Sequence, residues 1–130
     1  EREITQKYVE NFRTKVTGHD QLAGSLSGGN QQKIVIGRSL STAPQIVILD
    51  EPTRGIDAAA RGDVYSIIHQ LREQGVSVLL ISSDMEEMVE LADRVVIMYQ
   101  GRVSAEFQKG DINQDNLTAA AFGILEKEGA

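Results

Sequence analysis

Two short segments of the chain combine residue types that handle phosphate groups and a metal ion. The first, residues 26–32 with the sequence LSGGNQQ, places a hydroxyl and two glycines where a helix begins. The second, residues 46–53, is a run of branched apolar residues that ends in Asp50 and Glu51. The first N–H groups of a helix lack partners within the helix and, with the helix dipole, attract anions. Together the two segments predict a site for the phosphates of a nucleotide.

The serine of the first segment has two possible roles. Ser27 could simply cap the helix, because serine is a good N-cap and glycine tolerates the turn. Alternatively, its hydroxyl could donate to a phosphate, and the missing Cβ atoms of Gly28 and Gly29 would let the backbone approach the anion. The nearby acidic pair favours the second interpretation.

The acidic pair follows a predicted strand. Two carboxylates at a strand end could merely cap a turn or face solvent. However, ligands of α/β folds bind at the carboxyl ends of parallel strands. A hard oxygen ligand such as Asp50 suits Mg²⁺, with nucleotide phosphates completing the coordination. Glu51, one residue later, could orient or polarise the attacking water in phosphoryl transfer.

The elements that position these residues follow from hydrophobic spacing and turn formers. Helices are predicted over about 3–13, from the glycines of the first segment to about 40, over about 58–74, in a short stretch after Asp84, and over about 114–122. Strands are predicted over 45–50, 76–81 and 94–99, with a hairpin turn at 100–101 into 102–107. The first two strands read as buried on both faces. The order indicates an α/β fold with a mainly parallel sheet and a late antiparallel hairpin.

Composition excludes several classes of function. The chain has 130 residues and no cysteine, which excludes disulfides, cysteine zinc sites and thiol catalysis. Its net charge is −6, with scattered basic residues, which argues against a nucleic-acid surface. No apolar run approaches the ~18 residues of a membrane span, and no signal peptide is visible.

The pair of motifs resembles the signature and Walker B motifs of the ABC transporter ATPases, over nearly the whole chain. The resemblance implies an ATPase of the P-loop class that uses ATP and Mg²⁺, with Asp50 at the metal and Glu51 at the attacking water. It also implies that the signature motif contacts nucleotide held by the opposite domain of a dimer. The residues implied in that contact are Ser27, Gly28, Gly29, Asn30 and Gln31. Asn30 replaces the more frequent glutamine, as in the sugar-import subgroup.

Two further positions take their meaning from the same resemblance. Asp57, after Gly55-Ile56, resembles the aspartate of the D-loop, which crosses the dimer interface; it could equally cap the following helix. Ser83 occupies the place of the histidine that contacts the γ-phosphate in the family. A neutral serine cannot place positive charge there, so electrostatic stabilisation should fall. His69, inside a predicted helix, and His19, in a loop, are not expected to substitute.

The chain contains no P-loop pattern G-x-x-x-x-G-K-[ST]. It also begins at Glu1 within a predicted helix, so we expect it to be the later part of a longer nucleotide-binding domain. Residues 1–25 would end the helical subdomain, and residues 26–130 would form the carboxyl-terminal part of the domain. The family's P-loop strand would lie between the second and third predicted strands. Its absence predicts a gap that is closed by rearrangement or by a second copy.

The resemblance points to the second half of a fused ATPase that powers import of a sugar or sugar-like solute, of the ribose, galactose or autoinducer-2 kind. The implied partners are a second nucleotide-binding domain in the same polypeptide, membrane permease subunits and, indirectly, a solute-binding protein. The implied location is the cytoplasmic face of the inner membrane. The fragment alone should be inactive, and its own ATP site should be degenerate.

Two alternatives stay open. One is a non-catalytic interaction domain that retains ABC motifs. Ser83, in place of the family's histidine, gives this alternative some support. The other is a DNA-repair or chromosome ATPase of the SMC type, which predicts long coiled coils and a basic face; neither appears in the sequence.

Overall fold

The computed structural model describes residues 2–12, 14–18 and 20–124. His19 lies outside the described residues. The helices are α1 (Arg2–Asn11), α2 (Gly28–Leu40), α3 (Ala58–Glu73), α4 (Met85–Leu91) and α5 (Gln114–Ala121), and a 3-10 turn spans Ala23–Ser25. The strands are β1 (Ile46–Asp50), β2 (Ser77–Ile81), β3 (Arg94–Tyr99) and β4 (Arg102–Gln108). The order and approximate bounds of the predicted helices and strands are therefore confirmed.

The chain divides into two compact units, Glu1–Ile81 and Ser82–Ala130. In the first unit, β1 and β2 are parallel, with Ile46 in register with Ser77 and Asp50 with Ile81. Helix α3 packs against β2 and α2, and α1 packs against α2. The buried apolar residues of this unit are Phe12, Leu26, Ile36, Leu40, Val47, Leu49, Val64, Ile67, Ile68 and Leu71.

Local signals in the sequence explain where the helices of the first unit end. Helix α2 stops at Leu40, shortly before Pro44, which cannot continue a helix. Helix α3 begins at the cap residue Asp57 and is followed by Gly75, whose φ of +78° suits glycine. These boundaries set the positions of the two loops on either side of β1.

The expectation that β1 and β2 are covered on both faces is wrong for the described residues. Val47 and Leu49 are buried, whereas Ile48 and its register partner Leu79 are 64% and 53% exposed. Side chains alternate between the two faces of a strand. The continuous run of branched residues therefore supplies an apolar side chain to both faces, but only one face is covered in this chain.

The second unit contains the predicted antiparallel hairpin. Strands β3 and β4 pair from Arg94 with Gln108 to Tyr99 with Arg102. The turn residues Gln100 and Gly101 both have positive φ, as two-residue hairpin turns of the favoured type require. Helix α5 packs on both strands and contacts α4. The buried apolar residues of this unit are Met88, Leu91, Val95, Ile97, Leu117 and Ala120.

Within the described residues, the four strands form two separate two-stranded sheets, β1 with β2 and β3 with β4. The fold class is thus α/β with a small parallel sheet and an antiparallel hairpin, as predicted. No strand bridges β2 and β3 in the part of the chain that the structure describes. None of the described helices combines the length and the apolar character needed to span a bilayer.

Candidate functional site

Helix α2 begins without a side-chain cap. Ser27 occupies the N-cap position with extended backbone (φ −60°, ψ 154°), yet its side chain makes no cap hydrogen bond. The N–H of Gln31 donates to the carbonyl of Ser27 at 2.9 Å, so the N–H groups of Gly28, Gly29 and Asn30 precede the first turn of the helical ladder. The capping interpretation of Ser27 is therefore not what the geometry shows. Contact of this helix start with an anion stays a prediction.

The side chains of Asn30 and Gln31 hold the start of α2 in place. The amide nitrogen of Asn30 donates to Ser27 Oγ at 3.0 Å, and its oxygen accepts from the N–H of Lys15 at 3.1 Å. The amide nitrogen of Gln31 donates to the carbonyl of Leu26 at 2.8 Å. Both side chains thus bond to the segment that carries the hydroxyl. Direct contact of Asn30 and Gln31 with nucleotide stays a prediction.

The two glycines face neighbouring protein rather than open space. A Cβ on Gly29 would lie 2.2 Å from Ala60 Cβ, a distance that real Cβ atoms do not reach. A Cβ on Gly28 would lie 3.7 Å from Ile56 Cγ2, an ordinary contact. Gly29 therefore lets α2 approach the first turn of α3 closely. This packing role was not anticipated from the sequence.

One turn further along, a buried charge joins the same two helices. Lys33 is only 4% exposed, and its Nζ lies 2.5 Å from Asp63 Oδ2 on α3. The contact and the Gly29–Ala60 approach lie on the same face of each helix, because residues four or three apart share a face. The start of α2 is thus fixed to α3, the helix that follows the loop after Asp50.

The acidic pair lies at the carboxyl end of β1. Asp50 is the last strand residue, is exposed, and shares its sheet face with Ile48. Glu51 has φ +48°, a left-handed conformation that is uncommon for a non-glycine residue. Its N–H donates to the carbonyl of Ile81 at 2.8 Å, which continues the β1–β2 ladder by one bond. The backbone is therefore extended at Asp50 and left-handed at Glu51.

The loop from Glu51 to Asp57 is anchored at both ends. Thr53 is 6% exposed, and Pro52 is also fully buried. Gly55 has φ +75°, a conformation that favours glycine. At the loop's end, Asp57 caps α3 by accepting the N–H of Ala60 at 2.9 Å. The capping role of Asp57 is thus observed, and an additional role across a dimer interface stays a prediction.

The remaining candidate residues belong to other segments of the chain. Ser83 is exposed and belongs to the second unit, in the segment before α4. Next to it, Ser82 Oγ accepts the N–H of Asp84 at 3.0 Å, and the Asp84 carboxylate caps α4 through the N–H groups of Glu86 and Glu87. His69 is half-buried within α3, as expected from its spacing.

The described residues contain no cluster of three or more histidine, cysteine, aspartate or glutamate side chains that could enclose a metal ion. In nucleotide sites, Mg²⁺ takes one or two carboxylates and completes its shell with water and phosphate oxygens. Asp50, exposed at a strand end, is a donor of the required kind. The residues present therefore fit the implied ion.

Comparison with known proteins finds similarity to ATP-binding cassettes of ABC transporters. Residues 2–54 match the family model described as ABC transporter. In structure the chain is similar to the ADP conformation of MJ1267, an ATP-binding cassette of an ABC transporter, with 27% identity and a TM-score of 0.77 over 91% of this chain and 47% of that one. A nucleotide-free ATP-binding cassette from an ABC transporter has 23% identity and a TM-score of 0.81, over 96% of this chain and 50% of that one.

A third similar structure is the dimeric post-hydrolysis state of the cassette MJ0796 bound to ADP and Pi. It has 23% identity and a TM-score of 0.73, over 83% of this chain and 47% of that one. The chain therefore spans about half the length of the solved cassettes that it matches. The shared fold and the matched segment agree with the ABC resemblance of the sequence.

Proposed function

We propose that this chain is part of the ATP-hydrolysing domain of an ABC transporter, and that the start of α2 completes the ATP site of a second such domain. The match of residues 2–54 to the ABC transporter model and the cassette fold support this assignment. That the cassette MJ0796 is dimeric supports a second domain as partner.

One observation carries the proposal. Among the described residues, the Ser27 side chain makes no cap bond at the start of α2, and its exposed hydroxyl directly precedes Gly28 and Gly29, whose N–H groups have no acceptor within the helix. A phosphate there would accept from the hydroxyl and from backbone amides, at the positive end of a helix of 13 residues. A cap by the Ser27 side chain would instead occupy the N–H of Gly29 or Asn30.

The chain's own acidic pair would serve a separate ATP site. Asp50 would hold Mg²⁺, which supplies charge neutralisation for the phosphate oxygens when bound. Glu51 would accept a hydrogen bond from the attacking water and orient it. The left-handed backbone at Glu51 supports this role, because strained conformations cluster at functional sites.

That second site is proposed to turn over slowly. Ser83 stands where the family places a histidine, and a neutral hydroxyl gives the transferring phosphoryl group less electrostatic stabilisation. Losing one such group costs about two to three orders of magnitude in rate. The chain would therefore act mainly through Ser27, which would contact the nucleotide bound at the catalytically competent site of the other domain.

The finer parts of the assignment rest on the sequence resemblance. The LSGGNQQ string supports a sugar-import type, in which both domains belong to one polypeptide at the cytoplasmic face of the inner membrane. Permease subunits, and indirectly a solute-binding protein, would be the further partners. Residues 1–25 would belong to the helical subdomain and residues 26–130 to the rest of the domain. Because the chain spans about half of the similar cassettes, we propose that it does not hydrolyse ATP by itself.

The test compares two variants of the whole transporter ATPase. Ser27→Arg blocks the phosphate contact to the other domain's site, whereas Glu51→Gln disables only the chain's own site. We expect Ser27→Arg to abolish most ATP hydrolysis and Glu51→Gln to lower it little. Ser39→Ala, on the exposed side of α2, serves as the control and should behave as wild type. A larger loss from Glu51→Gln than from Ser27→Arg would contradict the proposed division of labour.

A second candidate function is a non-catalytic interaction domain that retains the cassette fold. Ser83 favours this function, because it stands where the family places a histidine that contacts the γ-phosphate, and a neutral hydroxyl supplies no positive charge there. The stoichiometry of a fluorescent ATP analogue bound to the whole protein separates the two, because two bound nucleotides per polypeptide support the first function and one bound nucleotide supports the interaction domain.

A further inference from the structure

The side-chain amide of Asn30 bridges the loop after α1 and the residue that opens α2. Its Oδ1 accepts the backbone N–H of Lys15 at 3.1 Å, and its Nδ2 donates to Ser27 Oγ at 3.0 Å. A backbone N–H can only donate, so it selects the oxygen end of the amide. The NH₂ end is thereby directed at the Ser27 hydroxyl.

The backbone N–H of Lys15, which donates to the side chain of Asn30, is itself held in place. The N–H of Thr14 donates to the carbonyl of Val9 at 2.9 Å, and Thr14 is 8% exposed. Lys15 follows directly, so its N–H is presented from a segment fixed to the end of α1. Rotating the Asn30 amide by half a turn would oppose two donors at Lys15 and is therefore disfavoured.

This arrangement determines what the Ser27 hydroxyl can do. A hydroxyl carries one proton and two lone pairs. One lone pair is occupied by Asn30 Nδ2, and among the described residues the Ser27 side chain caps no backbone N–H. The proton is therefore available to an acceptor outside the chain, and the exposed position of Ser27 makes it accessible.

We propose that Asn30 is a positioning residue that holds the Ser27 hydroxyl as an acceptor and so directs its proton toward a phosphate oxygen of the nucleotide. This inference rests on the proposed function of Ser27. Asparagine reaches Ser27 from one helical turn away, because residues three apart lie on the same face.

The test is a double-mutant cycle on the whole ATPase, read as ATP hydrolysis rate. Ser27→Ala removes the hydroxyl and should lower the rate about tenfold or more, as expected for a hydrogen bond to a charged group. Asn30→Ala leaves the hydroxyl unoriented and should lower the rate about three- to tenfold. The double variant should match Ser27→Ala alone, because Asn30 acts only through that hydroxyl.

Asn30→Asp provides a second variant of the same shape. Its carboxylate still accepts from Lys15 but now also accepts from Ser27, which turns the hydroxyl proton inward. The rate should fall at least as far as in Ser27→Ala. Ser39→Ala is the control for α2, and thermal unfolding verifies that each variant is folded.

The two proposals fail in different ways. If the loss from Asn30→Ala persists undiminished when Ser27 is already alanine, or if Asn30→Asp keeps the wild-type rate, the positioning role is overturned while the Ser27 contact stands. If Ser27→Ala itself hydrolyses ATP at the wild-type rate, the phosphate contact is refuted and the role of Asn30 falls with it.

Discussion

The residue proposed to orient the attacking water, Glu51, has a left-handed backbone. With φ +48°, its Cβ crowds the adjacent carbonyl, which costs roughly 1–2 kcal/mol relative to the ordinary conformation. The bond from its N–H to the Ile81 carbonyl and the buried residues Pro52 and Thr53 hold it there. The surrounding fold thus holds Glu51 in its left-handed conformation.

This conformation predicts an unusual order of stabilities at position 51. Glu51→Gly should unfold at higher denaturant than Glu51→Ala, with a free energy of unfolding larger by about 1 kcal/mol, because glycine adopts positive φ without a Cβ penalty. Both variants lack the carboxylate, so the comparison isolates the backbone. At position 39, inside α2, the order should be reversed. Ser39→Gly should be less stable than Ser39→Ala, because glycine destabilises a helix interior. Equal stability of the two Glu51 variants would refute the strain.

At the residue scale, the sequence allowed the donor types and their places at element ends to be predicted. Ser27 at a helix start and Asp50 at a strand end followed from hydrophobic spacing and turn formers. The bond between Lys15 and Asn30 did not, because it joins a loop backbone to a helix across 15 residues. Contacts of that kind depend on tertiary geometry, which no periodicity encodes.

Helices α2 and α3 are linked by a close approach and an ion pair. A Cβ at Gly29 would overlap Ala60 Cβ, whereas the next nearest atom, Ala60 Cα, would lie 3.5 Å away. Position 60 therefore decides how much room position 29 has. The contact keeps the start of α2 beside the loop that ends at Asp57, whose carboxylate caps the same turn of α3.

A compensating pair of substitutions tests this contact. Gly29→Ala should destabilise the protein by about 1–3 kcal/mol, because the added methyl group must push the helices apart. Combining it with Ala60→Gly should recover most of that loss, apart from the roughly 0.5–1 kcal/mol that glycine costs in a helix. Gly28→Ala, which meets Ile56 at 3.7 Å, is the matched control and should be nearly neutral. Chemical denaturation measures all four proteins, and no recovery in the double variant would count against the contact.

The ion pair between the same helices should respond unequally to loss of either partner. Asp63→Asn leaves the buried ammonium of Lys33 without its carboxylate, which should cost about 1–3 kcal/mol. Lys33→Met fills the same space without a charge and leaves a carboxylate that water reaches, so it should cost less. The exposed pair Arg2–Asp20 provides a control, and Asp20→Asn should leave stability unchanged. Urea unfolding measures the free energy of unfolding of each variant. A greater loss of stability from Lys33→Met than from Asp63→Asn would contradict the prediction.

A signal for these helix contacts was present in the sequence. Gly29, Lys33, Ile36 and Leu40 recur at helical spacing, which places the lysine on the core face of α2. On α3, Ala60, Asp63, Val64 and Ile67 share a face in the same way. A charge on each apolar stripe favours an ion pair between the two, since buried charges are normally paired. The register of the two helices, however, required the structure.

At the scale of the whole molecule, the first unit leaves one face of its parallel sheet open. Its four large apolar side chains there are Ile46, Ile48, Leu79 and Ile81, each between 48% and 65% exposed. Sequence periodicity could show that the strands are apolar on both faces, but it could not show what covers each face. An apolar patch of this kind marks an interaction surface or an aggregation site.

The open face predicts that the 130-residue chain associates with itself when purified alone. Sedimentation velocity should show an average mass that rises with concentration, because association removes the exposed branched side chains from water. Ile48→Lys, at the centre of the face, should shift the protein toward monomer. Val35→Lys, at an exposed apolar position on α2, should not. A chain that stays monomeric at all concentrations would disprove this.

Strand β2 pairs with β1 and with no other strand among the described residues. Backbone N–H groups along a parallel strand point alternately to either side, so those of β2 directed away from β1 have no partner strand among the described residues. They should exchange hydrogen for deuterium far faster than their neighbours. A segment that adds a parallel strand along this edge would slow that exchange, so the N–H groups of β2 that point away from β1 would report its binding.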